Sequence, residues 1–430
     1  MIAVNSINRR HHRSADPRTR FADTAAALVD EDLSVALVYA EISGQYFGDV
    51  ERRHPDRVIN VGIREQLLVN VGAGLALTGM RPIVHTFGSF LVERAFEQVK
   101  LGFGHQDVGG VLVGSGGSFD IASGGRTHQA PGDVPLMDTL PGWTIHVPGH
   151  TDEVEDALRL AVAGDGREYV RVVSQQNDRA FPVRPGSFHV VRRGAGATVV
   201  AVGPTLKPVL EASRDLDVSV LYANVVRPFD GRTLRAVLGT PEVVLVEPYL
   251  AGTSSRLVAD ALSDVPHRLL ALGVRSEELR RYGTPAQHIA AHGLDAAGIR
   301  ESMDEFLALV GREDGIAGHD ANPPSRPRGR GLRESPVGAS ALEGVLDLLA
   351  CVLEVGLALL GLALVAHRVV PGRLAQRLLG LADRAFRLGV SLVVGAHVAP
   401  PRVARCADAA SLPRPRIYIP STSTMVAAPL

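Results

Sequence analysis

The chain has 430 residues, room for two or three domains, and a hydrophobic content of 46% that can fill sizeable cores. A net charge of −1 points to no nucleic acid or acidic polymer as partner, and two cysteines, Cys351 and Cys406, imply neither a disulfide framework nor a metal cluster. The opening MIAVNSINRRHHRSADPRTR holds no apolar core long enough for a secretory signal, so a cytoplasmic protein is expected.

Residues 1–20 read as a flexible polar start. A helical pattern covers Phe21–Leu33, and the apolar strand Val35–Tyr39 then runs into a loop carrying Glu41. Val58–Val61, bounded by Gly62, is a buried strand. A helix follows with Leu67, Leu68, Val71 and Leu75 on one stripe, ended by Gly79 and Pro82. Glu65 sits in its first turn, at the carboxyl end of a strand, where open α/β sheets bind ligands. A carboxylate there also suits the helix dipole with no further role.

Ile83–Phe87 is the next strand. The faces of Phe87 and Phe90 can hold a flat ring by stacking, or simply fill a core. Arg94–Lys100 reads as a helix and Val111–Val113 as a strand, which enters a glycine-rich loop from Gly114 to Gln129. Such a loop lets the backbone approach a ligand closely. It carries His128, whose neutral imidazole can exchange protons near pH 7. His85, His105, His146 and His150 read as surface or core residues. After the helix Val154–Val162, Gly164-Asp165-Gly166 is a turn into the strand Tyr169–Val173.

The first domain spans 21–180 and a proline-bearing linker 181–196. A second unit, 197–310, has strands at Thr198–Gly203, Val218–Leu221 and Val243–Glu247, with helices at Leu206–Arg214 and Leu257–Leu262. Alternation of strands and helices argues for two consecutive three-layer α/β domains with mostly parallel sheets. Residues 311–430 begin with a basic, proline-rich linker and carry apolar runs at Leu348–Ala366 and Gly389–Ala399. Glu354 makes a membrane span expensive; a buried helical pair, a membrane-facing hairpin and a segment that never folds all fit.

Three motifs stand out: Asn60-Val61-Gly62-Ile63-Arg64-Glu65-Gln66, Thr86-Phe87-Gly88-Ser89-Phe90 and Thr127-His128-Gln129. Together they resemble the pyrimidine-binding domain of the transketolase family. The later α/β unit is similar to that family's C-terminal domain, so the likeness covers residues 21–310. The resemblance implies thiamine diphosphate as cofactor. It assigns Glu65 to N1′ of the aminopyrimidine, where a carboxyl group favours the imino tautomer that activates the cofactor. It assigns Phe87 and Phe90 to stacking on that ring, His128 to the substrate, and Glu41 to a cofactor-side or interface role. Family members acting on sugar phosphates carry His, Asp and Arg where Gly116, Gly124 and Gln175 stand, and a third ring-pocket aromatic falls at Glu93. These departures put a phosphorylated substrate in doubt.

No stretch before residue 57 is long enough for the family's diphosphate-binding domain. The expectation is a split enzyme in which this chain is the C-terminal subunit. A separate N-terminal subunit would then supply the Mg2+ and diphosphate site, with two copies of each in a heterotetramer and a homodimer contact within it. No metal ligand is assigned to this chain; Gly164-Asp165-Gly166 lacks the later Asn of the family's metal motif. The function implied is transfer of a two-carbon ketol or acyl unit between small sugar or keto substrates. A deoxyxylulose-phosphate-synthase-like enzyme, the beta subunit of a 2-oxo acid dehydrogenase, and a non-catalytic regulatory subunit are the alternatives.

Overall fold

In the computed structural model, which describes residues 16–308, strands and helices alternate as their hydrophobic periods require. The apolar runs of residues 311–430 lie outside the described residues. The first sheet contains β1 (Val35–Tyr39), β2 (Val58–Asn60), β3 (Arg81–Phe87), β4 (Gly110–Ser115), β5 (Trp143–His146) and β6 (Arg167–Val172). They are parallel, in the order β5-β6-β4-β3-β1-β2. The second sheet begins with β7 (His189–Arg192), β8 (Thr198–Val202) and β9 (Ser219–Ala223). After Asn224 the chain crosses back, and β10 (Val225–Arg227) pairs antiparallel with β5 as an edge of the first sheet. Then β11 (Glu242–Leu250) and β12 (Arg268–Val274) complete the second sheet as β12-β11-β8-β9-β7, with only β7 antiparallel.

The helices are α1 (Pro17–Glu31), α2 (Gly44–Arg53), α3 (Glu65–Leu77), α4 (Phe96–Gln98), α5 (Asp133–Met137), α6 (Thr151–Ala163), α7 (Leu206–Ala212), α8 (Gly231–Val237), α9 (Ser255–Ala261), α10 (Pro285–Ala291) and α11 (Ala296–Ala308). Strands buried on both faces must be largely apolar, as β1 is throughout and β8 is after Thr198. One face of the first sheet packs Leu37, Val111 and Val170 on Phe21, Leu28 and Leu158 of α1 and α6. Its other face packs Val38, Val84 and Leu112 on Leu68 and Val69 of α3 and on Leu91 and Phe103. The second sheet repeats the scheme, with Val209, Ile299 and Met303 on one side and Leu234 and Val258 on the other. Both units are therefore three-layer α/β. Among the described residues, no helix is long and apolar enough to cross a membrane.

The structure departs from the sequence reading in several places. Helix α1 starts at Pro17, because the Asp16 carboxylate caps the Thr19 amide at 2.8 Å; residues 17–20 thus belong to the fold. Pro82 lies inside β3, and α3 ends at Thr78. Leu67 is 43% exposed; the buried face of α3 is instead Glu65, Leu68, Val69, Gly72 and Ala73. The expected helix at Arg94–Lys100 is two π-helical segments, Ser89–Arg94 and Val99–His105, on either side of α4. The break between them has a local cause: the Gln66 side chain donates to the Arg94 carbonyl at 3.1 Å, taking an acceptor from the helix ladder. Finally, the stretch read as a linker contributes β7, while Gly164-Asp165-Gly166 forms the turn between α6 and β6.

Buried charges fill the seam where the two sheets meet. Arg171 and Asp133, both fully buried, bond through Nε and Oδ2 at 2.7 Å. Tyr169 donates to the same Oδ2 at 2.9 Å, and Arg171 Nη2 donates to Ser118 Oγ at 2.6 Å. The Ser118 hydroxyl in turn donates to the carbonyl of Pro248 on β11. Nearby, Arg227 grips both Asp138 oxygens and donates to Ser254 Oγ at 3.0 Å. Glu247 is fully buried beside it, and burial pushes its carboxyl up to about 7.

Candidate active site at the carboxyl edge of the first sheet

The chain leaves β1 toward the β2 edge of the sheet but leaves β3 toward β4, so the connections diverge between β1 and β3. Open α/β sheets bind ligands outside the carboxyl ends of strands at such a point. Register aligns Phe87 at the end of β3 with Ser115 at the end of β4, and Ser115 with Val172 at the end of β6. The loops after β1 and β2 bring in Glu41 and Glu65.

Glu65 is 1% exposed in the first turn of α3. Its Oε2 accepts a hydrogen bond from Arg94 Nη1 at 2.8 Å. Its Oε1 is buried and has no protein partner. A buried acceptor left unmade costs roughly 1–3 kcal/mol, so it is retained where something else supplies the donor. A ring nitrogen that carries a proton is a donor of the right kind, and this oxygen fits the ring-protonated aminopyrimidine of thiamine diphosphate.

The Arg94 guanidinium links this carboxylate to a ring cluster, lying 4.0 Å from the Phe90 centroid. Phe90 and Phe87 meet edge-on at 5.9 Å, and the His128 ring stands 5.0 Å from Phe90 and 5.8 Å from Phe87. All three rings are half-buried, which leaves faces open to a ligand. Thr127 Oγ1 donates to the Gly124 carbonyl at 3.3 Å and lies 2.9 Å from His128 Nδ1. The Thr127 hydroxyl thus tethers Nδ1, and the tautomer of the ring sets which of the two donates.

The two glycines that replace polar family residues have local causes. A Cβ at Gly124 would come within 2.7 Å of the His128 ring, so the imidazole occupies the space a side chain would need. Gly116 has φ +75°, and a Cβ there would meet Ile121 at 2.5 Å.

Glu41 stands apart from this cluster. It is exposed, with φ 61°, and its carboxylate accepts from Asn60 Nδ2 at 3.1 Å. Its bonds therefore brace the loop leading to Glu65 and do not reach Glu65 or the rings. Gln175 is half-buried just beyond β6. Glu93 is exposed and lines a separate cavity of about 240 Å3 together with Arg126 and Gln129. His85 is a satisfied core residue: Nδ1 bonds the Val113 carbonyl at 3.0 Å and Nε2 bonds Ser43 Oγ at 2.9 Å. His146 is buried against Glu168 at 2.7 Å.

Two arginines at this edge escape a reading by motif. Arg94 lies 29 positions from Glu65 and is joined to it only by the fold. Arg18, on the first turn of α1, bonds Ser43 Oγ at 2.9 Å and stands 5.2 Å from the Phe87 ring. One signal pointed toward Arg94: a carboxylate destined for burial requires a counter-charge somewhere.

Comparison with known proteins gives a consistent family. Residues 13–178 match the model of the transketolase pyrimidine binding domain. An uncharacterized 33.6 kDa protein in the fasciation locus of Rhodococcoides fascians is 47% identical over 311 residues, which is 71% of this chain and all of that protein. An apulose-4-phosphate transketolase subunit of Phocaeicola vulgatus is 27% identical over 67% of this chain and 97% of its own length. Among solved structures, a split gene transketolase described as an inactive beta4 tetramer aligns with TM-score 0.61 and 25% identity, over 69% of this chain and 99% of that one. The chain spans about half the length of the 1-deoxy-D-xylulose-5-phosphate synthases it matches, 46% of that from Albidiferax ferrireducens at 30% identity.

Proposed function

The chain belongs to the transketolase family as a C-terminal subunit, and from that premise we propose that it carries the pyrimidine half of a thiamine-diphosphate site moving two-carbon ketol or acyl units. The observation that carries this reading is Glu65, buried, held on one oxygen by Arg94 and unpartnered on the other. When bound, thiamine diphosphate supplies the nucleophilic carbon on which the two-carbon unit travels.

This chain's own residues bind and orient. Oε1 of Glu65 takes a hydrogen bond from the pyrimidine ring, and Arg94 fixes the carboxylate by holding Oε2. Phe87 and Phe90 flank the flat ring and exclude water. In the tautomer that places Nδ1–H on Thr127, Nε2 of His128 accepts a proton from a substrate hydroxyl and returns it.

A separate N-terminal subunit supplies the diphosphate and Mg2+ site. Among the described residues no group of His, Cys, Asp and Glu is gathered as for a metal. Ile63 and Leu67, on either side of Glu65 in sequence, are 68% and 43% exposed, and Leu77 on the same helix is 59% exposed. Exposed apolar side chains flanking a half-site suit burial in an assembly, here a heterotetramer with a contact between copies of this chain. The Phocaeicola relative is itself named as one subunit of a transketolase, which supports the same division of labour.

Glu65→Gln tests the reading. With the partner subunit present, thiamine-diphosphate-dependent turnover should fall by about 10²- to 10⁴-fold while the unfolding midpoint stays put. Unchanged turnover would make the chain a non-catalytic subunit. Calorimetry on the isolated chain should show weak thiamine diphosphate binding; tight binding without a partner would refute the split site.

A further inference from the structure

The second α/β unit reaches the loop that carries His128. After β12 the chain forms no helix or strand over residues 275–284, until α10 begins at Pro285. This strap touches the glycine-rich loop of the first unit twice. Glu278 Oε1 accepts from Arg126 Nε at 2.8 Å, and Arg126 Nη1 donates to the Gln129 carbonyl at 3.4 Å. The Tyr282 ring lies on Gly125, where a Cβ would stand 2.7 Å from its Cε1. Gly125 is buried with φ +68°, and its carbonyl accepts the amides of His128 at 3.0 Å and Gln129 at 3.3 Å. Tyr282, Gly125 and His128 are thus successive links, the ring resting on the glycine whose carbonyl fixes the backbone of the histidine.

The strap is itself anchored to α10. His288 Nε2 lies 2.6 Å from the Tyr282 carbonyl, which can only accept. The buried His288 ring stacks on Phe119 at 4.5 Å, and His292, just after α10, stacks on it at 5.0 Å. Phe119 belongs to the same glycine-rich loop, so the second unit holds that loop toward both of its ends. Strap and loop also share the lining of the 240 Å3 cavity, so the strap rests on these contacts and not on a packed core. The ion pair is half-exposed and Tyr282 mostly exposed, so neither adds much to the stability of the fold. What they can set is the conformation of a loop that its glycines leave free to move.

We propose that Tyr282 and Glu278 are positioning residues: through Gly125 and Arg126 they hold the 124–129 loop in the conformation that presents His128 to the substrate. This gives the second unit its part in the reaction. The role of His128 rests on the function proposed above; the hold on its loop does not.

NMR on the full chain with 15N-labelled histidine tests the hold; the His128 ring signals are those lost in His128→Gln. Tyr282→Ala and Glu278→Gln should each shift or broaden them, and leave in place the signals of His146, buried against Glu168. Tyr282→Phe should keep the unaltered spectrum, since it is the ring that packs on Gly125. Turnover is followed with the partner subunit and hydroxypyruvate, a 2-oxo acid that leaves a two-carbon ketol unit on losing carbon dioxide. There kcat/KM should fall by about fivefold in either variant, the most that a half-exposed pair is worth. Half-saturation by thiamine diphosphate and the unfolding midpoint should stay put. Unchanged His128 signals in both variants, a Tyr282→Phe spectrum as disturbed as that of Tyr282→Ala, or a loss confined to the unfolding midpoint would overturn the proposal. If Glu65→Gln shows the chain to be non-catalytic, the spectra still decide whether the strap holds the loop.

Discussion

Two of the regions that bury charge handle it differently. At the seam between the sheets, Arg171 and Asp133 are both fully buried, while Arg227 and Asp138 are 9% and 21% exposed. At the carboxyl edge, Glu65 is as deeply buried as the seam residues, but its partner Arg94 is 41% exposed. A pair sealed from water has nothing to fall back on when broken. A pair with one solvated member can be opened and rebuilt around a ligand. The seam therefore joins two sheets, and the edge is left open to a ligand.

The sharpest way to break this contrast is at the seam. Removing one member of a buried pair leaves an uncompensated charge, at a cost of about 3–5 kcal/mol. Asp133→Ala strands Arg171 and also takes the acceptor from Tyr169. Urea unfolding should show a loss in that range, because Ser118 alone cannot hold the guanidinium. A loss under about 1 kcal/mol would mean that water reaches the seam and that it resembles the edge.

Next in size are the pH effects, which pull in opposite directions. Burial pushes the seam carboxyl Glu247 up from an ordinary 4.5 to about 7. The folded state then keeps a proton that the unfolded state loses, so this group's contribution is full below pH 4.5 and is lost as pH rises toward 7. In the core of the first sheet, inside β3, burial pushes His85 down from 6.5 to about 3. Its contribution is full above pH 6.5 and is lost as pH falls toward 3. One proton sets a slope of at most about 1.4 kcal/mol per pH unit, and between pH 4.5 and 6.5 these two contributions oppose each other. Relative to the unaltered chain, Glu247→Gln should gain stability as pH rises from 4.5 to 7. His85→Asn should do the reverse, losing stability relative to the unaltered chain as pH rises from 3 to 6.5. Thermal melts across pH 4–8 decide; a difference from the unaltered chain that stays constant with pH in both variants would refute the assignment.

The edge was more legible in the sequence than the seam, for a physical reason. Glu65 and Phe87 stand where a helix opens and a strand ends, which strand period and turn chemistry can place, while Phe90 and His128 were legible through motifs that resemble the family's. The fold gathers the last three into one ring cluster. The seam depends on pairings remote in sequence. Nothing local to Val225–Arg227 says that three residues after Asn224 will leave one sheet for another. Arg227 reaches Asp138 across 89 positions, and Arg171 reaches Asp133 across 38. Side-chain period fixes which face a residue takes within its own strand but is silent on which strand lies beside it. Glu41 also carries contacts that no motif announces: its amide and its carboxylate both bond the Asn60 side chain, 19 positions away.

Arg94 offers the smallest and most discriminating test. Its guanidinium is more than a third exposed, so the ion pair with Glu65 is solvent-screened and contributes on the order of 0–1 kcal/mol. Truncation also opens Oε2 to water, which replaces the lost donor. Arg94→Ala should therefore leave the unfolding midpoint nearly unchanged, in contrast with Asp133→Ala. Its effect should fall on positioning. The carboxylate loses its tether and Phe90 loses the cation above its face, so half-saturation by thiamine diphosphate should rise several-fold while kcat falls far less than in Glu65→Gln. Arg94→Lys, which keeps a charge but not the flat guanidinium over Phe90, should restore only part of the loss. A stability loss matching the seam variant, with cofactor half-saturation untouched, would make Arg94 a structural residue and erase the distinction between the two regions.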